Sequence, residues 1–252
     1  MNIGKCKLCL TDNIELLSNS HIIPDFLHFG LKDEKGKYSL ISPDSYIKGR
    51  NQHLKRPFGA MYEPDLLCRK CDNEIIGGYE HGLSRTLNEN QNDNSYFIFE
   101  NKKHRIFKDI DYNSFKLGLL SILWRASISN SKMFEQVNIS SNHFEKLRLM
   151  ILNNDPKYIE DYPIRFYLLD KDDEKSILNP RFINDESGES SLFYINGYMI
   201  LFTIGRLKSK HDLPYIPNKS GSIYVQIREK DYLRNYIQNI MVTTKIKLNN
   251  NI

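Results

Sequence analysis

Apolar residues in this chain gather first into short runs and only later into long ones. Ile14-Glu15-Leu16-Leu17 is a brief apolar piece behind the turn signal Thr11-Asp12-Asn13. Pro24 opens Asp25-Phe26-Leu27-His28-Phe29, one or two helical turns closed by Gly30. Residues 32–44 are charged and broken by Gly36 and Pro43, which predicts a loop or hairpin. Residues 66–85 predict a helix weakened in its middle by Gly77-Gly78. Residues 86–95 are polar and Asn-rich and read as a linker.

Beyond that linker the pattern lengthens. Residues 97–99 and 104–107 suit short strands, and 115–128 is the most apolar helix candidate, the central core helix of this half. Residues 141–152 form an amphipathic helix with Ser141 as N-cap, ended by Asn153-Asn154-Asp155-Pro156. Strand runs occupy 164–169, 192–195, 198–204 and 222–227, with Asn196-Gly197 as a hairpin signal. Residues 230–241 predict a final helix. The fold class expected is α+β, divided into 1–88 and 96–252, the second part with helices first and a mainly antiparallel sheet after.

Composition narrows the class. Of 252 residues 40% are hydrophobic and 12% aromatic, enough for a packed core and against a disordered chain. A net charge of +4 permits a nucleic-acid partner without demanding one. There is no run of 18 or more apolar residues, so no membrane helix is expected. The first residues lack a signal core, which points to the cytoplasm, where paired cysteines are metal ligands rather than disulfides.

All four cysteines fall in two Cys-x-x-Cys pairs, Cys6-Lys7-Leu8-Cys9 and Cys68-Arg69-Lys70-Cys71. Each pair sets two thiolates on one tight turn, and two turns close a tetrahedral zinc shell with no open position. That zinc is structural, and its binding free energy becomes folding free energy. Between the pairs lies Ser20-His21-Ile22-Ile23-Pro24, and the second pair runs into Asp72-Asn73-Glu74.

A knuckle, a His-Ile-Ile-Pro turn and a second knuckle followed by a polar residue and Asn resemble the zinc-bearing branch of the HNH endonucleases, among the His-Me-finger (ββα-metal) nucleases. The resemblance covers about residues 1–85. It implies a ββα unit in which His21 is the general base that activates water. It also implies a divalent ion, Mg2+ or Mn2+, held by Asp72 with Glu63 or Asn73, acting on the scissile phosphate. Three positions depart from the family pattern. Ser20 stands where an acidic ligand is usual, the Asn ahead of the second knuckle is absent with Glu63 and Asp65 nearby, and Asp72 replaces a histidine. A carboxylate suits magnesium or manganese. Glu80, eight residues after Asp72, is a further candidate ligand beside the ordinary reading of a helix-surface acid.

Residues 45–62 contain no acid, and Lys48, Arg50, Lys55 and Arg56 are candidate phosphate contacts, or simply a solvated basic loop. His21 is equally readable as a histidine packed in an apolar turn. Trp124-Arg125 reads as a core tryptophan with a capping or ion-paired arginine. The first reading is thus a metal-dependent endonuclease acting on nucleic acid, with DNA as the expected substrate. Restriction or phage defence and a partner ATPase subunit are settings implied by resemblance, while for residues 96–252 target recognition, homodimerisation or partner docking is reached by elimination. The alternative is a zinc-stabilised module that binds nucleic acid or protein and performs no chemistry.

Overall fold

The computed structural model describes residues 2–28, 31, 39–41, 53–55, 61–91, 95–169, 177–185, 188–208, 215–229, 232, 235, 236 and 238. Its first half is built from very short pieces. Strands β1 (Asn2–Gly4) and β2 (Ile14–Leu16) pair antiparallel around the first knuckle. Strand β3 (Ser20–His21) leads to helix α1 (Asp25–His28), and β4 (Ser39–Ile41) pairs with β5 (His53–Lys55). Strand β6 (Tyr62–Glu63) returns antiparallel to β3, with Ser20 opposite Glu63 and His21 opposite Tyr62.

A helix follows. Its first turns, Lys70–Ile76, are π-helical, and from Gly77 it continues as α2 (Gly77–Gln91). The junction is the glycine pair: Gly77 N–H bonds back to the carbonyls of Asp72 and Glu74. Gly77-Gly78 therefore marks a change of helix type rather than a break. Wide turns of this kind concentrate at functional sites. The helix also runs further than the pattern predicts, through most of the residues read as a linker. Asn90 explains why, since its amide donates to the Lys108 carbonyl at 3.2 Å and accepts from Lys108 N–H at 2.9 Å. Asn90, which looks like linker composition, is here docked to Lys108.

Strands β7 (Phe97–Phe99) and β8 (Lys102–Phe107) form the next hairpin. Helix α3 (Tyr112–Ile128) is capped by Asp111, whose carboxylate accepts from Asn113 N–H at 3.2 Å. It is buried on nearly every side, as its all-round apolar sequence requires. Helix α4 (Ser141–Leu152) starts at the predicted residue, but Ser140 is the N-cap, one residue earlier. Strands β9 (Ile164–Leu168), β10 (Ile177–Asp185), β11 (Gly188–Ile195), β12 (Tyr198–Thr203) and β13 (Ile223–Ile227) complete a seven-stranded sheet, ordered β10-β11-β12-β9-β13-β8-β7. Neighbours are antiparallel except β9 and β13. Asn196 and Gly197 take φ of 47° and 84°, the double positive φ of a type I′ hairpin. The mixed α+β class follows from these elements. The helix predicted over 230–241 falls largely outside the described residues.

One core cluster runs from Cys6 to Val225. Phe115 of α3 meets Phe166 of the sheet edge-on, Trp124 stacks on Phe144 of α4, and Gly118 lies under Tyr79 and Leu83 of α2. Helix α4 reaches the first knuckle, where Arg148 donates to the Leu8 carbonyl at 2.5 Å. Among the described residues no helix is long and apolar enough to cross a membrane.

Candidate metal centre and the adjoining histidine site

The first knuckle is a tight turn in which Leu10 N–H bonds the Cys6 carbonyl at 2.9 Å, with Leu10 at a φ of 61°. Two backbone bonds, from Lys7 N–H to the Leu66 carbonyl and from Leu17 N–H to the Leu67 carbonyl, bring the second knuckle against it. The ligand atoms of Cys6, Cys9, Cys68 and Cys71 all lie within 4.8 Å of one another. Thiolates around a tetrahedral zinc sit about 3.8 Å apart, from a Zn–S bond of about 2.3 Å. Three of the four are buried, and Cys68 N–H points at Cys6 Sγ from 3.4 Å.

The cluster asks for a cation. The Cys71 thiol donates to Cys6 and, with backbone N–H groups, lowers the Cys6 pKa to about 4. Cys71 is pushed up because that proton is held by Cys6 and because it is buried, and burial pushes Cys68 up too. One thiolate forms readily, and a metal ion is what allows the rest to ionise. The donor set, soft and fourfold, fits zinc.

Beside this centre stands His21. Its ring packs on Tyr62 at 4.4 Å between centroids. Its Nε2 is enclosed, 3.0 Å from Asp25 Oδ2 but outside hydrogen-bond geometry. The other Asp25 oxygen lies 3.3 Å from Nε2 of the buried His28. The Nδ1 edge of His21 is not among the enclosed unpartnered atoms.

Asp72, on the π-helical turn, comes near the same histidine. Burial raises its pKa; the Arg125 guanidinium works against that, Glu80 adds to it, and Ser20 and His21 favour the charged form. Asp72 Oδ1, Ser20 Oγ and His21 Nε2 are enclosed polar atoms with no hydrogen bond. Among the described residues the four cysteines are the only group of three or more such side chains close enough to share an ion.

Arg125 closes the site from α3. Almost fully buried, it donates from Nη1 to the His21 carbonyl at 2.5 Å and from Nη2 to Glu80 Oε1 at 2.6 Å. Glu63 faces elsewhere: its carboxylate accepts from Ser129 Oγ at 2.8 Å, Asn130 N–H at 3.2 Å and Asn130 Nδ2 at 2.9 Å. Asn73 is exposed on the π-helical turn. Lys48, Arg50 and Arg56 lie outside the described residues, as does the side chain of Lys55. Sequence reasoning missed Asp25 and His28, whose only signal was their i+4 and i+7 spacing from His21, and gave Arg125 no place in the site.

Compared with known proteins, the chain matches no protein family, no curated protein and no solved structure.

Proposed function

We propose that this chain is a metal-dependent, HNH-like endonuclease that hydrolyses phosphodiester bonds in nucleic acid, with DNA as the expected substrate. The observation that carries the reading is the closeness of Asp72, on the helical turn next to Cys71 of the four-thiol centre, to Ser20 and His21 on a two-stranded antiparallel ribbon. Strand, strand and helix in that order are what the resemblance of residues 1–85 implies.

In this reading Cys6, Cys9, Cys68 and Cys71 hold a structural zinc. His21 Nδ1 accepts the proton of the attacking water. Asp72 contributes one carboxylate to a divalent ion, Mg2+ or Mn2+, and exposed Asn73 is on hand for an ion-bound water or a phosphate. Such an ion, when bound, stabilises charge on the scissile phosphate and the leaving oxygen. Lys48, Arg50, Lys55 and Arg56 are the proposed backbone contacts. A cytoplasmic role in restriction or phage defence, as a homodimer or beside an ATPase, belongs to the same proposal.

A second reading, a zinc-stabilised binding module, is favoured by one observation: Glu63 is engaged by Ser129 and Asn130, so it does not join Asp72 in a carboxylate pair beside His21. A plasmid-nicking assay separates the two. Wild type and His21→Ala, each with zinc confirmed by elemental analysis, are compared in magnesium, manganese and EDTA. Nicking that needs metal and disappears in His21→Ala, with an unchanged melting temperature, is expected. Retained nicking in His21→Ala overturns the mechanism. DNA shifted in a gel but never cut by the wild type transfers the site to the binding module.

A further inference from the structure

The ribbon that carries His21 is gripped on both strands by one end of α3. On β3, the His21 carbonyl receives Arg125 Nη1 at 2.5 Å. On β6, Glu63, directly opposite Ser20, receives Ser129 Oγ and both nitrogens of Asn130. The same guanidinium is tied to Glu80 of α2 and to its own helix through Ser121, whose carbonyl accepts from Nε at 3.2 Å. Arg125 therefore spans the two elements that bear His21 and the Asp72 helix. The ribbon itself has two residue pairs and cannot hold a side chain to a fraction of an ångström alone. A catalytic pair needs that precision from its supports.

From this arrangement we infer that the last turn of α3 is a clamp setting His21 against Asp72, and that Glu63 acts in it as a positioning residue rather than a metal ligand. The inference rests on the nuclease reading for its kinetic consequence only. Glu63 already accepts three hydrogen bonds from Ser129 and Asn130, two of them on Oε1, and these hold the carboxylate toward α3 rather than toward an ion. Arg125 in turn places one positive charge between Glu80 and Asp72, so the clamp also keeps two acids close together.

The test uses full-length, zinc-loaded protein and three variants: Glu63→Gln, Arg125→Lys, and Ser129→Ala/Asn130→Ala. Ser129 and Asn130 are half-buried and exposed, so their double variant is expected to fold, which zinc content and melting temperature check. Diethylpyrocarbonate acylation, mapped by mass spectrometry, reads the placement of His21 without any substrate, with exposed His81 as internal control. Manganese alone, followed by electron paramagnetic resonance, reads ion binding.

The clamp predicts several-fold faster acylation of His21 in Arg125→Lys and in Ser129→Ala/Asn130→Ala, with His81 unchanged. It predicts manganese affinity in Glu63→Gln within about twofold of wild type. Cleavage is expected to fall on the order of 100-fold in kcat at constant KM, the effect of a small misplacement of a reacting group. Loss of manganese binding in Glu63→Gln makes Glu63 a ligand and overturns the inference. So does wild-type acylation of His21 in both α3 variants. Should wild type cut no nucleic acid, the nuclease reading fails by itself, and the acylation and manganese results still decide the clamp.

Discussion

A lysine in a core is a costly residue, and Lys116 is one, 2% exposed in the first half of α3. Its Nζ donates to the Tyr158 carbonyl at 2.6 Å and to the Tyr112 hydroxyl at 3.1 Å. Burial lowers its pKa to about 7, against the opposing pull of Asp161, Glu160 and Asp155 and with Lys219 repelling it. In the unfolded chain a lysine holds its proton to about pH 10.4. Between about pH 7 and 10 the unfolded state therefore binds more protons, and stability rises with pH across that window. Below about pH 7 both states are protonated and the cost of burying the charge is fully present. Lys116→Met is expected to flatten this part of the pH dependence. Urea midpoints at several pH values between about 6 and 10 measure it as the difference between variant and wild type, which cancels groups common to both. Parallel curves would refute the assignment. At this scale the cysteine cluster was legible because its chemistry is local and spaced. Arg125 was read as a capping or ion-paired arginine, which its contact with Glu80 bears out, but its partners lie 104 and 45 positions away and only the fold identifies them.

Between elements, close approach decides more than propensity. Gly82 of α2 faces Ser114 at the start of α3, and a Cβ there would stand 2.4 Å from Ser114 Cβ. Glycine lets the two helices meet at the point where Asp111 and Ser114 begin α3, with Ser114 Oγ donating to Asp111 Oδ2 at 2.6 Å. Gly82→Ala forces the helices apart and is expected to cost roughly 1–3 kcal/mol. Ser114→Gly in the same chain should return part of that loss, and chemical denaturation of the single and double variants measures both. An unchanged midpoint in Gly82→Ala would refute the contact. The long elements were readable ahead of the structure: α3, α4, β9 and the Asn196-Gly197 hairpin lie within a residue or a few of their predicted bounds. Pattern failed where a residue's role depends on a distant partner. Asn90 looks like linker until Lys108 is seen against it, and the π-helical turn has no period of its own in so short a stretch. Strand β10 was not read at all, its apolar positions being interrupted by Asn179, Pro180 and Arg181.

Over the whole molecule, the four-thiol centre brings together segments 62 residues apart, on top of the backbone bonds and core contacts they share. The strands around it have two or three residues each, too short to stand alone. Chelation of the metal is therefore expected to lower the melting temperature strongly, and Cys68→Ser to lose the bound zinc. Elemental analysis and thermal melts, with and without a strong chelator, check this. A chelated protein melting like the untreated one would remove the structural role. Because Arg148 of α4 holds the Leu8 carbonyl, the loosening should reach α4 as well, visible as faster amide exchange in residues 141–152.

The buried guanidinium between the two halves has one more consequence, for heredity and for engineering. Residues 1–91 do not make a transplantable cassette. Severed after Gln91, that piece would keep Glu80 and Asp72 side by side with no cation between them. It would also wet the faces of Tyr79, Leu83 and Leu87 that now rest in the common core. A genome that shuffled this fragment onto another carrier would pass on the cysteines and the histidine but not the geometry. The two segments have to be inherited, and altered, as one piece.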